Sequence, residues 1–158
     1  MLRTGASIST SSGARRICNG YRRIHSVSTH LYRARKNLLS NLKIEKTVSG
    51  GSVANSIVGL SQLGNEVGFI GKISDDDFGK KYEDGLIKEK VNYFYKKKKE
   101  KLPTGTCLIL ITPDSERTMC TFLGTAGKIN ENDVDSNKIK QSELIFLEGY
   151  LWDEGDPK

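Results

Sequence analysis

Residues 49–79 read SGGSVANSIVGLSQLGNEVGFIGKISDDDFG, and this stretch decides the fold. Ser49-Gly50-Gly51-Ser52 is a turn signal. Behind it Val53, Ile57 and Leu60 recur at helical spacing, with Ala54, Val58 and Leu63 widening the same face, which predicts a core-facing helix. Gly64 supplies the left-handed stop expected at its end. Glu66 to Ile73 (EVGFIGKI) is short, rich in β-formers and bounded by glycines, so a buried strand is expected. Asp75-Asp76-Asp77 then opens a second helix, with Phe78, Tyr82 and Leu86 at i, i+4 and i+8. Carboxylates at that place favour the helix dipole and cap free N–H groups, and their spacing is not that of a calcium loop. Helix, strand, helix is the alternation of an α/β fold with a mostly parallel sheet.

The Gly-Gly turn bears on function. A helix that starts there leaves backbone N–H groups free at its N-terminus, and two glycines let a ligand come close with no Cβ in the way. Recognition of a phosphate or a hydroxyl is one reading. A plain tight turn feeding a core helix is the other.

Upstream, the texture is different. Residues 1–43 hold seven arginines and two lysines with no acid, which leaves 16 basic residues against all 19 acidic ones in the rest. The net charge of +6 is therefore a +9 leader on a body of −3. Basic charge confined to a leader weighs against a nucleic-acid partner for the body. The leader lacks the continuous apolar core of a secretory signal. Its scattered Arg and Ser match a mitochondrial transit peptide, an unstructured tail, or an unrelated sequence joined ahead of a domain. We expect residues 1–42 to lack a packed core and residues 43–158 to form the folded part. His25 and His30 have no acidic companions, so no metal site is read there. No stretch approaches the ~20 apolar residues that span a bilayer, which excludes a membrane helix. Cys18, Cys107 and Cys120 are odd in number and widely spaced. They suit neither a disulfide framework nor a zinc site, and fit a reducing compartment: the cytoplasm, or the mitochondrion if the leader is a transit peptide.

Downstream, Val91 to Tyr95 runs into Lys96-Lys97-Lys98-Lys99-Glu100-Lys101, a self-repelling run expected to stay in solvent at a strand end. Pro103-Thr104-Gly105 is a turn. Cys107 to Thr112 and Thr118 to Leu123 read as a β-hairpin joined by PDSER. Asn130 precedes ENDVD, a segment suited to a single capped helical turn. Leu144 to Leu147 reads as a compact apolar strand closing on Glu148-Gly149-Tyr150.

Residues 49–79, PTGTCLILITPDSERTM (103–119) and LIFLEGYLWD (144–153), in this order and with these gaps, resemble the N-terminal half of the ribokinase-like (PfkB) carbohydrate and nucleoside kinases. The likeness runs from about residue 45 to the end and is closest in flavour to adenosine-kinase-like bacterial members. It implies a partial ribokinase-like three-layer α/β sandwich with a small β-sheet lid, to which the strands of residues 91–123 would belong. It implies acceptor-hydroxyl binding by Gly50, Gly51 and Asn55, with Arg117 and Glu148 near positions that can face the acceptor. Gly71, Asp76 and Gly79 match the strand–turn–helix signature and would shape that turn. A complete relative would use ATP and magnesium to phosphorylate a sugar or nucleoside hydroxyl.

The departures are as informative. Val53, Ile57 and Ser74 stand where smaller residues or Gly are usual in that family. No opening strand with a substrate-binding Asp is recognisable in residues 1–42. The Gly-Ala-Gly-Asp anion-hole motif with its catalytic Asp, the magnesium-associated Asn-x-x-Glu motif and the nucleotide-binding segments are absent. The expectation is a truncated kinase that retains acceptor residues, has no catalytic residue, and binds neither ATP nor magnesium by itself. A non-catalytic binding module, or one that dimerises through its lid strands, is the alternative. A basic-tailed nucleic-acid binder is a third.

Overall fold

The computed structural model describes residues 2–7, 40–96 and 98–154, of which 2–7 and 152–154 are described by backbone alone. The helix after the Gly-Gly turn is present as α1 (Ser52–Gln62), burying Ala54 and Ile57, and Gly64 follows with φ +90°. Asp77–Lys88 forms α2, burying Tyr82 and Leu86 of the expected set, with Phe78 half-buried and Gly79 buried beside it. Asp76 is its N-cap, so the triple-Asp segment caps the helix as expected.

Two sheets frame these helices. One has strand order β2-β1-β5-β6, built from β1 (Leu2–Ser7), β2 (Ile44–Ser49), β5 (Thr106–Ile111) and β6 (Arg117–Phe122). β1 runs parallel to β5 and antiparallel to β2, while β5 and β6 form the expected antiparallel hairpin. This sheet is mixed rather than mostly parallel. The other pairs β3 (Gly68–Phe69) with β4 (Asn92–Tyr93) in parallel across α2, which is the α/β crossover the sequence predicts.

The leader, expected to lack a packed core, contributes Leu2–Ser7 as a strand between β2 and β5. Residues 8–39, and with them the histidines and Cys18, lie outside the described residues. The strand expected over Glu66–Ile73 pairs only at Gly68 and Phe69, because β4 offers it just two partners. Leu144 to Leu147 forms no strand: Leu144 is 79% and Leu147 82% exposed. A strand needs a ladder partner, and composition alone does not provide one.

The main core gathers Ala54, Ile57, Ile73, Tyr82, Leu86, Val91 and Tyr95 between the helices and the small sheet. A smaller cluster, Leu108 and Leu110 with Leu42 and Cys120, lies on one face of the four-stranded sheet.

Candidate acceptor site

The turn at β2's end carries the candidate site. Gly51 has φ +116°, a conformation that L side chains rarely adopt, and as N-cap it offers no side chain to the first N–H groups of α1. Its carbonyl accepts the Asn55 backbone N–H at 2.9 Å, which closes the first turn. Ser52 and Asn55 are three residues apart and share a helix face; both are exposed, whereas Ala54 and Ile57 point to the core. The Asn55 side chain makes no hydrogen bond among the described residues, so its amide has both a donor and an acceptor to offer.

Glu148 reaches this turn from 96 residues away, and the Ser52 hydroxyl donates to its Oε2. A carboxylate therefore stands at the uncapped N-terminus of α1, where the helix dipole favours negative charge. Gly50, Gly51, Asn55 and Glu148 are thus brought together, with Ser52 as an unanticipated fifth member. Its role was hidden because a serine after two glycines reads simply as part of the turn.

Arg117 is placed elsewhere. Ser49 pairs with Leu2, Leu2 with Thr106 and Thr106 with Phe122, so the Gly-Gly turn leaves the sheet at that end. Arg117 pairs with Ile111, five positions along β6 from Phe122 and roughly 17 Å away at strand rise. It is exposed beside the hairpin loop.

A second polar assembly lies past the ends of β3 and β4. Lys72 and Asp133, both buried, pair at 2.8 Å; Lys72 also lies 3.7 Å from Glu100. Lys98 bridges the same two carboxylates at 3.6 and 3.7 Å, and the Tyr95 hydroxyl donates to Glu100 at 2.8 Å. Burial alone would raise the Asp133 carboxyl. The Lys72 hydrogen bond, the Asn130 N–H and the Lys72 and Lys98 charges outweigh it and hold the group below its ordinary range. The lysine run is solvated at Lys96 and Lys99, but Lys98 is committed to this network.

Asp76 shapes the strand–turn–helix signature. Its Oδ1 accepts from the Gly79 N–H at 2.7 Å and its Oδ2 from the Thr104 N–H at 2.8 Å, tying α2 to the Pro103-Thr104-Gly105 turn. A Cβ at Gly79 would run into the Ser74 carbonyl oxygen, so the helix can approach that closely only with glycine.

With this geometry in view, the comparisons with known proteins are specific. Residues 24–158 match the pfkB family of carbohydrate kinases. The chain is 36% identical over 116 residues to a 5-dehydro-2-deoxygluconokinase of Clostridium botulinum (strain Eklund 17B / Type B), covering 70% of this chain and 34% of that protein. It is 30% identical over 115 residues to the enzyme of the same name from Mesomycoplasma hyopneumoniae (strain 232), covering 72% and 34%. Adenosine kinase from Sinorhizobium meliloti superposes with TM-score 0.79 at 26% identity, covering 99% of this chain and 47% of that one. The chain thus spans about a third of the length of these two sequence relatives, and its α/β fold is that of part of a ribokinase-like kinase.

Proposed function

Because the chain belongs to the pfkB family of carbohydrate kinases, we propose that it is the acceptor-binding half of a kinase acting on a hydroxyl of a sugar or nucleoside. The observation that carries this is the convergence of Glu148 and the Asn55 face on the Gly50-Gly51 turn. The first N–H groups of α1 polarise an acceptor oxygen. Glu148 takes a hydroxyl proton donor through the oxygen that Ser52 leaves open. The Asn55 amide bridges a hydroxyl pair, donating to one and accepting from the other. These groups bind and orient; none of them grips a triphosphate.

In a complete member of the family, ATP with magnesium supplies the phosphoryl group. Two of the carboxylates that could face magnesium are already committed: both Asp76 oxygens are spent on backbone N–H groups, and Asp133 is held by Lys72 and Lys98. Phosphoryl transfer rests on positioning and charge neutralisation, so by this reading the chain alone holds an acceptor without transferring to it. Calorimetric titration with ribose, fructose and adenosine should show binding of at least one. Parallel assays with ATP and magnesium should show no acceptor-dependent ADP release. Turnover above ~1 per second, within the usual enzyme range, would overturn the inactive half of this reading.

A second reading concerns pairing. Val48, Ile111 and Met119 are exposed on the face of the four-stranded sheet opposite the Leu108–Leu110 cluster, with Met119 66% exposed. An apolar sheet face of this kind suits a homodimer formed through the lid strands. Sedimentation should show a concentration-dependent dimer that Met119→Glu dissociates; a monomer at all concentrations removes this reading. Neither the chemistry nor the fold asks for nucleic acid. Among the described residues no helix is long and apolar enough to cross a membrane, and we place the protein in the cytoplasm, or in the mitochondrion if the leader directs it there.

A further inference from the structure

We propose that the cleft past the ends of β3 and β4 binds a phosphate-bearing small molecule. This inference does not rest on the acceptor-turn reading, whose residues lie outside the lining of the cleft. The cleft has a volume of about 360 Å³, within the range of small-ligand sites. Phe94, Lys96 and Lys98 form one wall, and Asn132, Val134 and Asp135 form the other. It opens beyond the carboxyl end of β4, the side of a parallel pair on which α/β proteins hold their ligands.

Charge decides the class of ligand. Residues 94–101 and 131–140 together hold seven lysines and four acidic residues, on a body whose net charge is −3. The carboxylates around the cleft are engaged internally. Asp133 is buried and taken by Lys72, Lys98 and the Asn130 N–H, and Glu100 accepts from the Tyr95 hydroxyl. Asp135 caps α3 (Ser136–Lys140) by accepting the Asn137 N–H at 2.9 Å. Lys96 and Lys98 are exposed, and the three donors of the Lys98 ammonium are not exhausted by carboxylates at 3.6 and 3.7 Å. Lys138 adds a third cation, 5.2 Å from the centroid of the Phe94 ring. A phosphate monoester brings up to two negative charges and three acceptor oxygens, which lysines hold as point charges. The Asn132 amide donates to a further oxygen, and Phe94 and Val134 offer apolar surface to the carbon skeleton.

Calorimetric titrations of the full chain with ribose 5-phosphate and inorganic phosphate test this, with circular dichroism to verify folding. At least one of the two should bind, and raising the ionic strength should weaken it several-fold by screening. Lys96→Glu should cost about tenfold in affinity, because it reverses a charge on the wall of the cleft. Lys80→Glu, the same change on the exposed face of α2, should cost less than about twofold. Tighter binding of the ester assigns the carbon skeleton to the Phe94 wall, and equal binding assigns the site to the free anion; either upholds the proposal. Failure of both to bind at millimolar concentration overturns it, and so do equal losses in Lys96→Glu and Lys80→Glu. A loss in Asn55→Ala with none in Lys96→Glu also overturns it, by placing the ligand at the acceptor turn.

Discussion

Single residues at the turn and in the core make opposite claims on polarity. At the turn, Asn55→Ala should weaken a bound sugar or nucleoside by about 1–3 kcal/mol, because it leaves a desolvated hydroxyl unpaired. Gly51→Val should be more severe, since it adds a side chain where φ is +116° and a ligand must come close. Calorimetry on both variants checks this, and unchanged affinity would remove the turn from the site. In the core, Tyr82 is 1% exposed and its hydroxyl has no hydrogen-bond partner among the described residues. Burial pushes its phenol above the ordinary value. Tyr82→Phe should therefore be neutral or stabilising in urea denaturation, as it removes an orphaned polar atom and keeps the ring. A loss above about 1 kcal/mol would mean that the hydroxyl is satisfied after all.

At the scale of elements, Asp76 joins α2 to a turn 28 residues on. Asp76→Ala removes a cap worth about 0.5–2 kcal/mol and strands the buried Thr104 N–H, so a loss of about 2 kcal/mol or more is expected. Urea unfolding midpoints measure it; a loss under about 0.5 kcal/mol would show that water replaces both bonds. Elements of this kind were legible in the sequence because their signals are local. The 3.6-residue period of α1 and α2, the Asp cap and the Gly64 stop all lie within a few residues of the structure that they specify. Strands were legible in full where they form a hairpin, as β5 and β6 do, and only in part at β3 and β4. Leu2–Ser7 reads LRTGAS, with no apolar alternation, and becomes a strand through backbone pairing with β2 and β5. Leu144 to Leu147 has the composition of a strand and lacks the neighbour. In the candidate site, Gly50, Gly51 and Asn55 stand within six residues, so the family resemblance names them together. Ser52's bond to Glu148 and the Lys72–Asp133 pair span 96 and 61 residues, distances over which no periodicity carries information.

For the whole molecule, the buried pair links stability to acidity. Asp133 is held below its ordinary value when folded, so its contribution is fully present above the unfolded carboxylate value of about 3.9 and is lost as pH falls through the folded one. Thermal melts from pH 7 to pH 3 should show the parent losing more stability than Asp133→Asn across the acid limb. Parallel curves would show that the pair does not couple to protons. Above that limb the variant should be the weaker by about 3–5 kcal/mol, because it leaves Lys72 buried with a diminished partner. The unpaired Leu144-Ile145-Phe146-Leu147 segment carries a consequence of a different kind. Four exposed apolar residues with strong β-propensity are a template on which other chains can stack, and the charges that interrupt such stacking are Glu143 and Glu148 on either side. Glu148 thus acts in colloidal terms as a gatekeeper. Glu148→Gln, which removes that charge, weakens the bond from Ser52 and takes away one of the two flanking charges in the same event.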